Sequence, residues 1–107
     1  PFNPVTNQDL PNFSFPVTDV RSIFVRYAVF RTTSTTTAYE TGDITAIYSP
    51  SNPVGNKWDF SVVRVGDGSI TFSITDNGQI QFSTSTLSGI NHAGKITATA
   101  QAVLQND

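Results

Sequence analysis

An all-β fold is what this sequence predicts: an antiparallel β-sandwich, jelly-roll-like, of six to eight short strands. Three observations carry that expectation. Thr, Val, Ile and Phe are abundant while Leu, Glu, Lys and Met are scarce or missing, a composition that suits a pleated, half-buried surface. Apolar and polar residues alternate with period two along most of the chain, and no window repeats at 3.6 residues. Turn residues punctuate the apolar runs at short intervals, the spacing of a sandwich rather than of crossover helices.

Composition also excludes function classes. The 107 residues make one domain. Without cysteine there is no disulfide framework, thiolate nucleophile or Cys-based zinc site. One histidine, His92, allows no multi-histidine metal site, and no cofactor is expected. The net charge of −2 gives no basic field for nucleic acid or anionic membrane. No apolar run reaches the roughly 20 residues of a membrane span, so no membrane insertion is expected. The chain opens Pro1-Phe2-Asn3-Pro4 without methionine and reads as a processed chain or a piece of a longer one.

Residues 1–16 carry four prolines. Proline donates no ladder hydrogen bond, so the segment reads as an extended arm or edge element, with Phe13 and Phe15 as anchors. Residues 17–107 then form the single sandwich. Its first strand is Val20–Arg31. Ile23, Val25, Tyr27 and Val29 share one face with Arg21 and Arg31; Val20, Phe24, Ala28 and Phe30 share the other with Ser22 and Arg26. Both faces are substantially apolar, yet no helix is predicted to cover the second, and a strand of an isolated sandwich should have one wet face. Another copy of the chain is the simplest cover. Phe24, Arg26, Ala28 and Phe30 are the candidate interface residues.

Residues 32–37, all Thr and Ser, read as a solvated loop or edge strand. The next strand runs from about Ala38 to Tyr48 with Ile44, Ala46 and Tyr48 on one side. Ser49–Asn56 is the strongest turn signal and is long enough to project. Trp58, Phe60 and Val62 alternate with polar residues in a further strand, which places Trp58 in the core rather than on a sugar-stacking surface. Gly66-Asp67-Gly68 ends that strand.

The clearest hairpin follows. A two-residue loop at Asn77-Gly78 would set Ile74 against Gln81 and mix the faces. A three-residue loop, Asp76-Asn77-Gly78, sets Ile74 against Ile80 and Phe72 against Phe82, with Gly78 taking positive φ. After a loop over 86–94, the last strand, Lys95–Leu104, lines Ile96, Ala98, Ala100, Ala102 and Leu104 along one face. The alanines there would let the facing sheet approach closely.

Catalysis finds little support. His92 stands in a Gly-rich loop beside no carboxylate in sequence, so a Ser–His arrangement lacks its orienting group. The acids Glu40, Asp43, Asp59, Asp67 and Asp76 show no pairing of the glycosidase type. Asp43, Asp67 and Asp76 adjoin Gly or Asn-Gly, as turn residues do. No D-x-D-x-D spacing marks a calcium loop. Arg21, Arg26 and Arg31 form no continuous basic patch, so nucleic acid is not an expected partner.

The run Val20-Arg21-Ser22-Ile23, with Tyr27 and Arg31 downstream in phase, opens a series of short pieces. Gly42-Asp43-Ile44-Thr45-Ala46-Ile47-Tyr48, Trp58-Asp59-Phe60-Ser61, Gly66-Asp67 and Phe72-Ser73-Ile74-Thr75 follow. Then come Gly78-Gln79-Ile80-Gln81-Phe82-Ser83-Thr84-Ser85, Leu87-Ser88-Gly89 and Gly94-Lys95-Ile96. In this order, over about residues 5–104, they resemble a β module of phage tail-fibre and virion proteins, similar to the tips of trimeric surface-fibre adhesins of predatory bacteria. The sequence departs from the pattern at Phe82, where Tyr is usual; the usual glycine before Phe-Ser-Ile is supplied by Gly68.

The resemblance implies a homotrimer on a virion fibre or cell surface, outside the cell. Residues 1–16 would link it to a fibre shaft, and its loops would attach to a surface glycan or other envelope ligand. It supplies no invariant binding residue. The loops 32–37, 49–56 and 86–93 are the candidates, with Thr35, Asn52, Asn56, Asn91 and His92 as contacts, because their hydroxyls and amides bond sugar hydroxyls without burying charge. The alternatives are a purely structural trimerising module and, more remotely, a monomeric carbohydrate-binding module stacking sugar on Trp58. An enzyme is the least expected class.

Overall fold

The structure, a computed structural model, describes residues 4–104. Pro1, Phe2 and Asn3 of the expected arm and residues 105–107 of the expected sandwich lie outside the described residues. Seven strands and no helix form among them: β1 (Gln8–Ser14), β2 (Val20–Thr32), β3 (Thr37–Tyr48), β4 (Trp58–Gly66), β5 (Ile70–Ile74), β6 (Gln79–Thr84) and β7 (Ala93–Leu104). They make two antiparallel sheets, β1-β6-β5 and β4-β3-β2-β7, in a body 52 Å long and 20–23 Å across. β2, β3 and β4 run as a meander and β7 returns by a long connection beside β2, the order of one Greek key. The proline-bearing segment supplies β1 at the edge of the smaller sheet, and Phe13 and Phe15 pack on the core.

Period-two alternation sets which side chains meet. Ile23, Val25, Tyr27 and Val29 of β2 face inward with Ile44 and Ala46 of β3, against Leu10, Ile70, Phe72, Ile74 and Ile80 of the smaller sheet. The Tyr27 and Phe72 rings meet across the sheets at 4.6 Å. Gly42 stands opposite Tyr27 in the ladder. A Cβ there would lie 2.7 Å from the Tyr27 hydroxyl and 2.6 Å from the Val63 carbonyl oxygen, so the missing side chain is the notch that admits the phenol. The β5–β6 hairpin has the register expected from its turn: Ile74 pairs with Ile80 and Phe72 with Phe82, with Gly78 at φ +92°.

Three expectations are corrected. An irregularity in the β2–β7 ladder between Val20 and Ser22 shifts the phase. Val20 is therefore buried and Arg21 exposed, while Arg31 is completely buried, so the two arginines do not share a face. Burial fades along β4, an edge strand: Trp58 is buried, Val62 half-buried, and Phe60 exposed. On β7, the other edge, Ile96 and Ala98 pack on the core, but Ala100, Ala102 and Leu104 stay exposed. The three-stranded sheet is too narrow to reach them, so the alanine row brings no close sheet approach there.

Candidate functional site

The outer face of the four-stranded sheet is the largest feature the fold leaves open. The alternation that buries the odd residues of β2 turns Phe24, Arg26, Ala28 and Phe30 outward, so all four candidate interface residues lie on this face. Register adds their neighbours: Phe30 stands between Tyr39 and Lys95, Ala28 between Thr41 and Thr97, Arg26 between Asp43 and Thr99, and Phe24 between Thr45 and Gln101. Ile47, Val63, Val65 and Val103 complete it. Exposure is 37% at Phe24, 44% at Phe30, 58% at Tyr39, 69% at Val63 and 72% at Val65. With Ile47 and Val103, the typical areas of such side chains give roughly 700 Å² of mostly apolar open surface. The largest apolar patch on an ordinary monomer is about 300–600 Å².

The face has relief. The Phe30 and Tyr39 rings lie 5.0 Å apart and wall one side of a groove of about 580 Å³, floored by Ala28, Thr41 and Thr97 with Val65 and Lys95 at its edges. Midway along the face, Arg26 Nε donates to Asp43 Oδ1 at 3.0 Å. This bond and the carboxylate charge raise the Arg26 pKa further above its ordinary value. Asp43, expected as a turn residue, sits in mid-strand instead.

A buried polar cluster closes one end of the sandwich. Arg31 donates through Nη1 to the Gly68 carbonyl at 2.8 Å and to that of Ser69 at 3.2 Å, and through Nη2 to that of Ser85 at 2.8 Å. Desolvation lowers its pKa. Glu40 is equally hidden. Its Oε2 accepts from the Tyr27 hydroxyl and its Oε1 from the Gly68 amide at 2.9 Å, with Arg64 Nη1 3.9 Å from Oε1. Burial, then the Glu40 contact, drives the Tyr27 pKa well above 10.0. These groups are engaged with protein partners, and Glu40, although among the residues lining the groove, is 3% exposed, so the cluster ties the 66–69 and 85 segments to the large sheet rather than offering a reactive group. Sequence gave one cue to it: Arg31 is in phase with Tyr27 and Val29, and Glu40 with Ile44 and Ala46.

The candidate loops do not converge. Loops 33–36 and 86–92 meet at one end, where the Ser34 amide donates to the Ile90 carbonyl and the Thr33 and Thr35 hydroxyls donate to that of Ser88. Thr35, Asn91 and His92 are there. His92 Nε2 lies 3.1 Å from the Gly89 carbonyl, and Asn91 has φ +57°. Loop 49–57, with Asn52 and Asn56, is at the other end. Asn52 Nδ2 donates to the Asn56 carbonyl and to Asp59, and Lys57 Nζ donates to the Pro50 and Asn52 carbonyls. Asp76 accepts from the Gly55 and Lys57 amides, which lowers its pKa. The backbone enters at the Thr35 end, where Val5 pairs with Thr84, and reaches Leu104, opposite Val20, at the Asn52 end.

One solved structure shows a partial likeness. It is the tailspike protein of Acinetobacter phage vB_ApiP_P1, with a TM-score of 0.43 and 16% identity over 94% of this chain. The chain spans 22% of that tailspike's length. No protein-family model and no curated protein matches the sequence.

Among the described residues, no group of three or more His, Cys, Asp or Glu side chains is placed to hold a metal ion. Trp58 is buried, with its ring 5.4 Å from Tyr48, so it offers no open platform for a sugar.

Proposed function

We propose that this chain is a non-enzymatic, self-associating module of a fibre: a homotrimeric tip domain that stands on the outside of a virion or cell and attaches to a surface glycan. The observation that carries the self-association is the uncovered outer face of β4-β3-β2-β7. Its roughly 700 Å² is close to the 800 Å² or so that each partner commits to a stable interface. At about 25 cal/mol per Å² it represents a driving force above 15 kcal/mol before the costs of association. The ordered motifs resembling fibre modules support the trimer and the extracellular setting.

Chain polarity refines the tip reading. If the shaft joins at the Val5 end, Thr35, Asn91 and His92 face the shaft, and the distal surface is the Asn52–Asn56 loop. The glycan contacts of a tip therefore belong to the 49–57 end, beside the 75–78 turn.

A second reading, a spacer that trimerises and binds nothing, has its own support. The described chain enters at one end of a 52 Å body and leaves at the other, as a segment within a shaft would. The polar side chains of both loop sets are also largely spent on internal hydrogen bonds. Light scattering across micromolar concentrations tests the shared part, and a monomer throughout would refute it. A glycan array probed with the assembled protein separates the two readings: binding that is lost on changing Asn56 and Val54 supports the tip, and silence across the array supports the spacer.

A further inference from the structure

On the self-association reading, which it presupposes, we infer that Arg26 and Asp43 pair between copies of the chain and set the register of the interface. The two form the central charged row of the open face. Arg26 lies six residues from either end of β2, and Asp43 is at the middle of β3. The other charged residues, Asp59 and Lys95, stand towards opposite ends of the face, and exposed Arg21 lies at the Val20 end, away from the central row. In a trimer whose three copies turn this face to the threefold axis with β2 along it, the central rows stand at one height and Arg26 of one copy meets Asp43 of the next.

The existing contact is incomplete. A guanidinium carries five N–H donors in a fork suited to bidentate capture of a carboxylate. Here the contact within the chain uses Nε and Oδ1 alone. Among the described residues neither Nη group nor Asp43 Oδ2 makes a hydrogen bond, the guanidinium otherwise meeting only the Phe24 ring at 6.0 Å, and the Arg26 side chain is 68% exposed. Water satisfies these atoms on a free protomer. When the apolar side chains around them are covered, that water is excluded, and unpaired charged groups would oppose association. Asp43 of a second copy is the one carboxylate on the central row able to take the Nη donors. Apolar contact along the face drives association in any register; only the central one matches the charges. This is the use best attested for a polar pair in an apolar interface.

Complementation tests it. Arg26→Asp gives a face with two central acids and Asp43→Arg one with two central bases. Folding of each is checked first by circular dichroism, and sedimentation velocity then compares wild type, each variant, an equimolar mixture and the double variant. The inference expects each single variant to lose the assembled species at concentrations where wild type forms it, and the mixture to recover part of it, because a trimer drawn from both variants keeps one like-charged contact in three. A mixture that stays monomeric while the double variant assembles would show that the pair acts only within one chain. Single variants that assemble like wild type would also overturn the inference. A monomeric wild type would instead refute the self-association beneath it.

Discussion

Replacing Tyr27 with phenylalanine removes one hydroxyl from the interior and leaves the ring packed on Phe72. The hydroxyl occupies the notch at Gly42 and donates to Glu40 Oε2. Glu40 is 3% exposed, so water cannot readily replace the lost donor. Its Oε1 keeps the Gly68 amide, while Arg64 at 3.9 Å is beyond hydrogen-bond range. A hydrogen bond to a charged acceptor contributes about 1.5–3 kcal/mol, and stranding the buried oxygen puts Tyr27→Phe near the upper end, about 2–3 kcal/mol. Urea unfolding followed by fluorescence of the single, buried Trp58 measures it, at one fixed protein concentration because association adds stability. The midpoint should fall with the slope unchanged. A loss under about 0.5 kcal/mol would refute the account of the cluster. The same residue sets a pH dependence. With its folded pKa raised above 10.0, Tyr27 keeps its proton in the folded chain after the unfolded chain has lost it. The stabilisation is complete below pH 10 and declines as pH climbs toward the folded value. Tyr27→Phe should lose that part of the alkaline decline.

Four more outcomes follow from the geometry. Arg31→Met strips one buried and two part-buried carbonyls of their donor and should cost about 2–3 kcal/mol in the same unfolding assay; a neutral result would mean water reaches that end of the sandwich. Gly78→Ala places a Cβ 2.0 Å from the Phe15 carbonyl oxygen at φ +92° and should cost about 2–4 kcal/mol, whereas Gly55→Ala, at the same φ with open space around it, should cost about 1 kcal/mol. Equal losses would deny the close approach of Phe15. Asp76→Ala should speed hydrogen exchange at the Gly55 and Lys57 amides; in wild type their protection persists below pH 3.8 and fades as pH falls through the lowered folded pKa of Asp76. Val63→Lys with Val65→Lys should abolish self-association in light scattering while leaving monomer stability within about 0.5 kcal/mol, since both side chains face outward.

How legible each feature was depended on range. The β5–β6 register could be read because four consecutive residues, Thr75 to Gly78, decide it and one alternative scrambles the faces. Trp58 could be placed in the core because it leads an alternating strand. The exposure of Phe60, Ala100 and Ala102 could not, since it depends on the width of the opposing sheet, a long-range property. Arg21 and Arg31 were separated by a one-residue irregularity near the start of β2, and a single shift of phase reverses every inference drawn from counting. The division of the loops was legible and was missed. Consecutive turns of an up-and-down antiparallel chain fall at opposite ends, so the turns after β2 and β3 were never able to share one surface. The Arg31–Glu40–Tyr27 cluster was half-visible: its phase is inward, but the partners that make burial tolerable are carbonyls and an amide in loops twenty or more residues past the end of β3.

β2 shows why folding would separate from the proposed assembly. Its inward residues meet a second sheet of the same chain, and the charged residue among them, Arg31, finds its acceptors there too. The inward face of β2 is thus covered without a neighbouring copy. Its outward residues meet nothing of their own chain beyond flanking strands, and the polar atoms among them, at Arg26, are only partly engaged. Substitutions on the inward set should therefore lower unfolding stability at every protein concentration. Those on the outward set should act only where copies meet, and their effect should vanish on dilution. A strand of an isolated sandwich would show one wet face; β2, apolar on both, serves a core on one side and, on the proposed reading, an interface on the other.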